Sequence, residues 1–416
     1  MFYERSVTPG GVTVITERMA GFRSAAIGIW VAAGSRDELP GEAGVSHFVE
    51  HMMFKGTPSR SAAEISEAFD RIGARFNAGT DKEYTTYYCQ VIDQHAVEAF
   101  SILADMVSHS LMEEPAVLSE REVVLEEISR SEDQPDDMVH DLFASTLFPS
   151  HPIGRPVLGT PSTVGAFMPA DVFAYTARRY GSGNVVVAAA GNIDHAALVA
   201  QVNRELVVPK SERTDRGEMI PTVTPRFEIV TKDTEQAHIC WGSAGLRSRD
   251  PERFAMGVMD TIIGGGMSSR LFQEIREKRG LAYAVGSYHA QYLDTGHFTV
   301  YAGTRPDNAE KVVALIKSEV ERFIEGGATP DELFRAKESM KGNLVLGMES
   351  TSARMSRLGK SEVTSGELLT LDELVERIDA VEQADLTRVA ASTIAGPRVL
   401  AMVAPFEKEA VAHLLD

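Results

Sequence analysis

Cysteine is the scarcest reactive residue in this chain, with two in 416 residues. That is too few for a disulfide scaffold. Neither stands in a C-x-x-C pair, which excludes a thiolate metal cluster and a dithiol redox centre. Cys89 and Cys240 sit in the strand-like runs TTYYCQVI and AHICWGSA. Two buried free thiols in a reducing compartment are expected, rather than a disulfide. Long apolar runs are missing too. The longest, VVVAAA over Val185–Ala190, is strand length and far below the ~18 residues of a membrane helix, so no membrane partner is expected. The start, MFYERSVTPGGVTVITERMAG, has no apolar leader core, no small-residue cleavage site and no Arg-rich transit character, so the cytoplasm is the expected location. Basic charge is in the minority, with 41 Lys and Arg against 60 Asp and Glu and a formal charge of −19. Nucleic acid is therefore not the expected partner, since it calls for a basic footprint. The charge is compatible with attraction of basic peptides, although solubility is its blander meaning. The 34 glycines follow no period, so a collagen-like chain is excluded.

What is present is a globular composition, 44% hydrophobic and 24% charged, with ample apolar content for a core. The length favours two or three domains, and the chain echoes itself. AAIGIWVAAGSRD (Ala25–Asp37) returns as AHICWGSAGLRSRD (Ala237–Asp250), at an offset of 212 to 213. Each reads as an apolar strand, then Gly, then Ser-Arg-Asp. The helix, loop and new helix start over Ala96–Leu118 return over Ala309–Leu333. Two echoes in the same order indicate a duplication of half the chain. The polar stretch Val207–Pro225, with three prolines, reads as a linker. The expected domains are residues 1–208 and 222–416, joined by 209–221. Strand candidates (VTVITER, AAIGIWVAA, KEYTTYYCQVI, NVVVAAAG) and helix candidates (GVSHFVEHMMFKG, AVLSEREVVLEEISRSE) do not alternate one for one. The expected class is α+β, two duplicated domains each with a largely antiparallel sheet packed with helices, rather than a doubly wound parallel fold.

The chemical signal is His47-Phe48-Val49-Glu50-His51, an H-x-x-E-H pattern between Pro40-Gly41 and Gly56-Thr57-Pro58. A helix of about three turns fits there. On it His51 lies about 40° from His47 and Glu50 about 60° to the other side, so the three share one arc. Imidazoles at i and i+4 suit a single Zn²⁺, and Glu50 then reaches the open position, where a carboxylate takes a proton from water. The bland alternative is a surface stripe. Apolar flanks (Val45, Phe48, Val49, Met52, Met53, Phe54) argue that the helix is buried, and buried His and Glu need partners. The pattern is also the inverse of H-E-x-x-H. A hydrolytic zinc site takes a third protein ligand and leaves the fourth position to water. The acidic run Glu120–Ile128 is the obvious donor, with Val123, Val124 and Ile128 as its expected buried stripe. Glu120 and Glu127 project from nearly one face, and Glu126 and Glu127 cannot both face a metal, being about 100° apart. Periodicity does not choose among the three.

HFVEH followed 76 residues after His51 by Glu127, in EREVVLEEI, resembles the pitrilysin/insulinase family of zinc peptidases, especially the β subunit of mitochondrial processing peptidase and its bacterial relatives. The likeness covers essentially the whole chain. Its longer stretches are GEAGVSHFVEHMMFKGT, FNAGTDKEYTTYY, HPIGRPVLGT and GGGMSSRLFQEIREKRGLAYAV. It implies the metallohydrolase fold of that peptidase. It makes His47, His51 and Glu127 the ligands of one Zn²⁺ per chain, Glu50 the general base and Glu120 an acidic residue beside the ligands. Glu83 would orient a ligand histidine, as metal-bound imidazoles require; its bland reading is an exposed strand Glu. Asn77 and Ala78 match an edge strand on which an extended peptide is laid by strand addition. Arg276 and Tyr283 match an Arg-Tyr pair that holds substrate backbone and polarises the scissile carbonyl. At the repeat offset His47–His51 fall near Asp260–Gly264, and Glu127 near Gly342, so the second half lacks the metal set. Family members of this size carrying both features pair as homodimers, each site receiving Arg276 and Tyr283 from the partner. The implied activity is a zinc metalloendopeptidase for unfolded or extended peptides. The alternative is a non-catalytic or heteromeric subunit of the same fold.

Overall fold

The computed structural model describes residues 2–415. Two compact units emerge, and each is built on one sheet. The first holds β1 (Glu4–Val7), β2 (Thr13–Arg18), β3 (Ser24–Val31), β4 (Arg75–Thr80), β5 (Thr85–Ile92) and β6 (Val185–Gly191), in spatial order β1-β2-β6-β3-β5-β4. The second holds β7 (Arg226–Thr231), β8 (Ala237–Ala244), β9 (Ala282–Gln291), β10 (Gly296–Thr304) and β11 (Arg398–Ala404), in order β7-β11-β8-β10-β9. Leaving β1 aside, the two orders are the same path through space. Each sheet has one parallel pair, β2 with β6 and β7 with β11, and is antiparallel elsewhere. The fold is α+β and duplicated.

Both faces of each sheet are buried, which is why its central strands read as apolar runs rather than clean alternations. In β6, Val185, Val187 and Ala189 enter one core of the first unit, while Val186, Ala188 and Ala190 enter the other. In β11, Leu400, Met402 and Ala404 face one core of the second unit, and Val399, Ala401 and Val403 the other.

The units do not follow the sequence halves. The first takes residues up to Ser129, Arg155–Gly217 and Leu346–Leu368; the second takes Arg130–Gly154, Glu218–Val345 and the stretch from Leu369 onward. Each half therefore gives one helix to the other half's sheet. Helix Thr351–Val363 covers the first sheet with Met355, Leu358 and Val363. Helix Pro135–Leu147 covers the second with Val139, Phe143 and Leu147. Residues 206–225 form no helix or strand, and those up to Gly217 belong to the first unit. There Arg216 grips Asp37 with Nε and Nη2 at 2.8 and 2.7 Å. Cys89 and Cys240 are both buried free thiols.

Candidate metal centre

The H-x-x-E-H run forms a helix over Val45–Met52, two turns rather than the three expected. Its start is set by Gly44, at φ +91°, a backbone conformation that glycine adopts without strain. A side chain there would strike the carbonyl of Leu158. Gly44 offers no cap, so the first turn is satisfied from elsewhere. Glu38 accepts from the Gly44 and Ser46 N–H groups, each at 2.9 Å, and Ser46 Oγ bonds Tyr175 Oη at 2.7 Å. Burial pushes the Glu38 carboxyl up to about 7, against those backbone bonds. Phe48, Val49 and Met52 fill the first core, which leaves His47, Glu50 and His51 on the opposite side.

The acidic helix runs over Glu114–Glu132. Its buried stripe is Val117, Glu120, Val124 and Ile128, whereas Val123, expected in that stripe, is 44% exposed. Glu120 and Glu127 share a face, and both meet the histidines. His47 Nε2 and His51 Nε2 lie 3.2 Å apart. Glu127 Oε2 lies 3.7 Å from the first and 3.5 Å from the second. Four ligands at ~2.0–2.1 Å in a tetrahedron around Zn²⁺ stand about 3.3–3.4 Å from one another. The three donor atoms already have that spacing, so the residues fit the ion. Among the described residues, this is the one group of three His, Cys, Asp or Glu donors that converge in this way.

The surroundings prepare the donors. Glu120 Oε1 takes His51 Nδ1 at 2.8 Å, and its Oε2 takes Lys55 Nζ at 2.5 Å. With Nδ1–H spent on Glu120, the lone pair of His51 Nε2 points at the centre, which is the role of an outer-shell carboxylate. Burial raises the Glu120 carboxyl, but its bonds to His51 and Lys55 outweigh that and hold it below the usual range. Burial and the neighbouring His51 push His47 down to about 4, a neutral imidazole ready to ligate. For His51 burial acts downward, but the Glu120 bond and the charges of Glu127, Glu120 and Glu50 carry it above its ordinary value. Glu50 stands beside the donors and is raised by burial, in part offset by a 2.6 Å bond from Thr80 Oγ1 to its Oε2.

Glu83 is buried, and its Oε1 accepts from the buried Arg36 Nη1 at 2.5 Å. The imidazole of His51 is oriented by Glu120. Asn77 and Ala78 lie on β4, the edge strand, and Asn77 Oδ1 accepts from the Ala78 N–H at 3.0 Å. Arg276 and Tyr283 belong to the second unit and are held to each other. Arg276 Nη1 donates to the Tyr283 carbonyl at 2.9 Å. Its guanidinium lies 4.6 Å from the Tyr283 ring and 4.8 Å from the Phe272 ring. Arg276 sits in a π-helical stretch, Phe272–Glu277, and Tyr283 is 80% exposed. Thr80, Lys55 and Glu38 carry no sequence signal of their own. Glu38 lies too far ahead of the helix for any local capping pattern, and Thr80 is 30 residues from Glu50.

Comparison with known proteins agrees with this geometry. Residues 13–161 match the family described as insulinase (peptidase family M16), and residues 167–340 match the peptidase M16 inactive domain. The chain is 42% identical over 422 residues to an uncharacterized zinc protease of Streptomyces coelicolor, covering 99% of this chain and 92% of that protein. It is 40% identical over 402 residues to the uncharacterized zinc protease YmxG of Bacillus subtilis, covering 97% and 98%. A crystal structure described as the peptidase M16 inactive domain from Pseudomonas fluorescens has the same fold, with a TM-score of 0.90, 20% identity and 98% of each chain covered. With two matched halves and relatives aligned along nearly its full length, this chain belongs to the insulinase family of zinc proteases.

Proposed function

We propose that this chain is a zinc-dependent metalloendopeptidase of the H-x-x-E-H type, acting on unfolded or extended peptides with one Zn²⁺ per chain. The observation that carries the reading is the triangle of His47 Nε2, His51 Nε2 and Glu127 Oε2, with edges of 3.2–3.7 Å and Glu50 beside it. Zn²⁺ held there supplies a Lewis acid and acidifies water. The chain's own residues do the rest. Glu50 accepts the proton of the attacking water and returns it to the leaving amine. The free edge of β4 at Asn77 and Ala78 receives the peptide as an added strand. The Arg276–Tyr283 pair contributes donors for the developing oxyanion. Two copies pair as a homodimer, each supplying Arg276 and Tyr283 to the other's site, and the compartment is the cytoplasm. Among the described residues, no helix is long and apolar enough to cross a membrane.

A quenched fluorescent peptide together with metal analysis tests the reading. Glu50→Gln should keep zinc and lose turnover by about 10²–10⁴-fold. A variant that cleaves at the wild-type rate would sink the mechanism. Mixing Glu50→Gln chains with Arg276→Ala chains should restore activity, and a fully active monomer by light scattering would refute the trans supply. The description of 167–340 as an inactive domain favours a second reading, a non-catalytic or heteromeric subunit. It predicts a zinc-loaded wild type that cleaves nothing in an unbiased peptide library.

A further inference from the structure

Glu50 stands between two histidines on the helix, on a side chain with three rotatable bonds. Left free, it would spend little time aligned for proton transfer, because fixing such a chain costs rotamer freedom. The hydroxyl of Thr80 is hydrogen-bonded to it. Thr80 Oγ1 donates to Glu50 Oε2 at 2.6 Å, within the short range of O–H···O⁻ bonds. A threonine hydroxyl has one hydrogen, so that bond occupies the donor fully. Glu50 Oε2 is thereby tied to Thr80.

The position of Thr80 gives the bond its meaning. Thr80 is the last residue of β4, paired with Thr85 of β5. In a strand, alternate side chains share a face, so Phe76, Ala78 and Thr80 form one row. Phe76 and Ala78 pack against the core that the histidine helix enters, and Thr80 continues the row to Glu50. Its β-branched side chain has little χ1 freedom, so the hydroxyl moves with the strand backbone. Among the described residues, no strand pairs with the other edge of β4.

We propose that Thr80 is the positioning residue of the general base, referencing Glu50 to the same strand on which the peptide is laid. The assignment rests on the peptidase reading above. Adding a peptide to β4 stiffens the strand, and the strand sets Oε2 of Glu50. Substrate alignment and base alignment then share one reference, and a slip of β4 misplaces both together.

The test is Thr80→Val, which keeps the shape and removes the donor, beside Thr80→Ser, which keeps the donor. On a quenched fluorescent peptide, Thr80→Val should lower kcat by about 10- to 100-fold, as misaligned catalytic groups do, with KM within about twofold. Its zinc affinity by chelator competition and its melting temperature should match wild type. Thr80→Ser should recover most of kcat. Four results would each overturn the assignment: wild-type kcat in Thr80→Val, equal losses in Val and Ser, a loss carried by KM, or a loss that tracks zinc affinity. A wild-type chain that hydrolyses nothing overturns the peptidase reading and the assignment together. An active wild type with a fully active Thr80→Val overturns the assignment alone.

Discussion

The two units run their strands along the same path and fill the equivalent helix with different chemistry. In the first, the helix after β3 carries His47, Glu50 and His51, and the acidic helix brings Glu127 to within 3.5–3.7 Å of both imidazoles. In the second, the helix after β8, Arg253–Ile263, carries Asp260 at the place of His47. Asp260 spends one oxygen on Ser287 Oγ at 2.5 Å and the other on His289 Nδ1 at 2.9 Å. Both oxygens are used within the unit, and one imidazole stands where two would be needed. A shared backbone is therefore compatible with a metal centre or with a closed polar cluster. The donor set decides which, as expected when function is grafted onto a fold.

Ligand removal gives the largest contrast. His51→Ala or Glu127→Ala should abolish zinc binding and bring turnover to background, whereas Asp260→Ala should leave the zinc content at one per chain. Metal analysis on purified protein reads both. Zinc lost from Asp260→Ala would break the distinction between the units.

Next comes the acid behaviour of the metal-free protein. His47 is pushed down to about 4 from 6.5 by burial and by His51. The unfolded chain therefore binds a proton between those values that the folded chain refuses. Stability rises with pH wherever the unfolded state holds more protons, so this group's contribution is present above 6.5 and fades as pH falls toward 4. The span corresponds to a loss on the order of 3 kcal/mol. Urea midpoints measured with chelator present should fall over that window more steeply in wild type than in His47→Gln. Parallel curves would refute the assignment.

Glu120→Gln is a gentler probe. It keeps the shape and an acceptor for His51 Nδ1 while removing the charge that also holds Lys55. Outer-shell changes of this kind cost about 10- to 100-fold in metal affinity. The carboxylate–imidazole pair of the second unit, Asp260 with His289, belongs to no converging group of donors among the described residues, so Asp260→Asn should leave zinc affinity where it was. Chelator competition on the two variants side by side makes the measurement.

Legibility from sequence followed the range of the forces involved. The histidine helix, the shared face of Glu120 and Glu127, the duplication and the mainly antiparallel sheets all rest on short spacings or on echoes of apolar pattern. Periodicity could reach them. The choice of Glu127 among the acidic residues needed the family resemblance. The bond of Thr80 to Glu50 and the Arg36–Glu83 pair join residues far apart in sequence, the two N–H groups on Glu38 lie six and eight residues from it, beyond the reach of a capping pattern, and no local pattern marks any of them. The exchange of helices was hidden for a related reason. An amphipathic helix announces that one face is buried, not which sheet buries it. Helix Thr351–Val363 reads the same whether it covers its own half or the other.

That exchange yields the smallest effect, and two opposed terms set its sign. Gly359, on the helix laid over the first sheet, faces the indole of Trp30, and a Cβ there would fall inside contact distance of three ring atoms. Trp30 is buried and the neighbouring Gly28 is closed off by Met355, so the ring has little room to yield. Overpacking of this kind costs about 1–3 kcal/mol. Replacing a mid-helix glycine by alanine returns about 0.5–1 kcal/mol of helix propensity. The steric term wins, and Gly359→Ala should be destabilised by about 1 kcal/mol net. The chain has two tryptophans, Trp30 in the first unit and Trp241 in the second. A Trp241→Phe background therefore lets denaturation be followed at Trp30 alone. A lowered midpoint with an altered native Trp30 emission supports the tight seating of the exchanged helix. An unchanged or raised midpoint would mean that the propensity gain prevails and that the helix rides further from the sheet than its glycine implies.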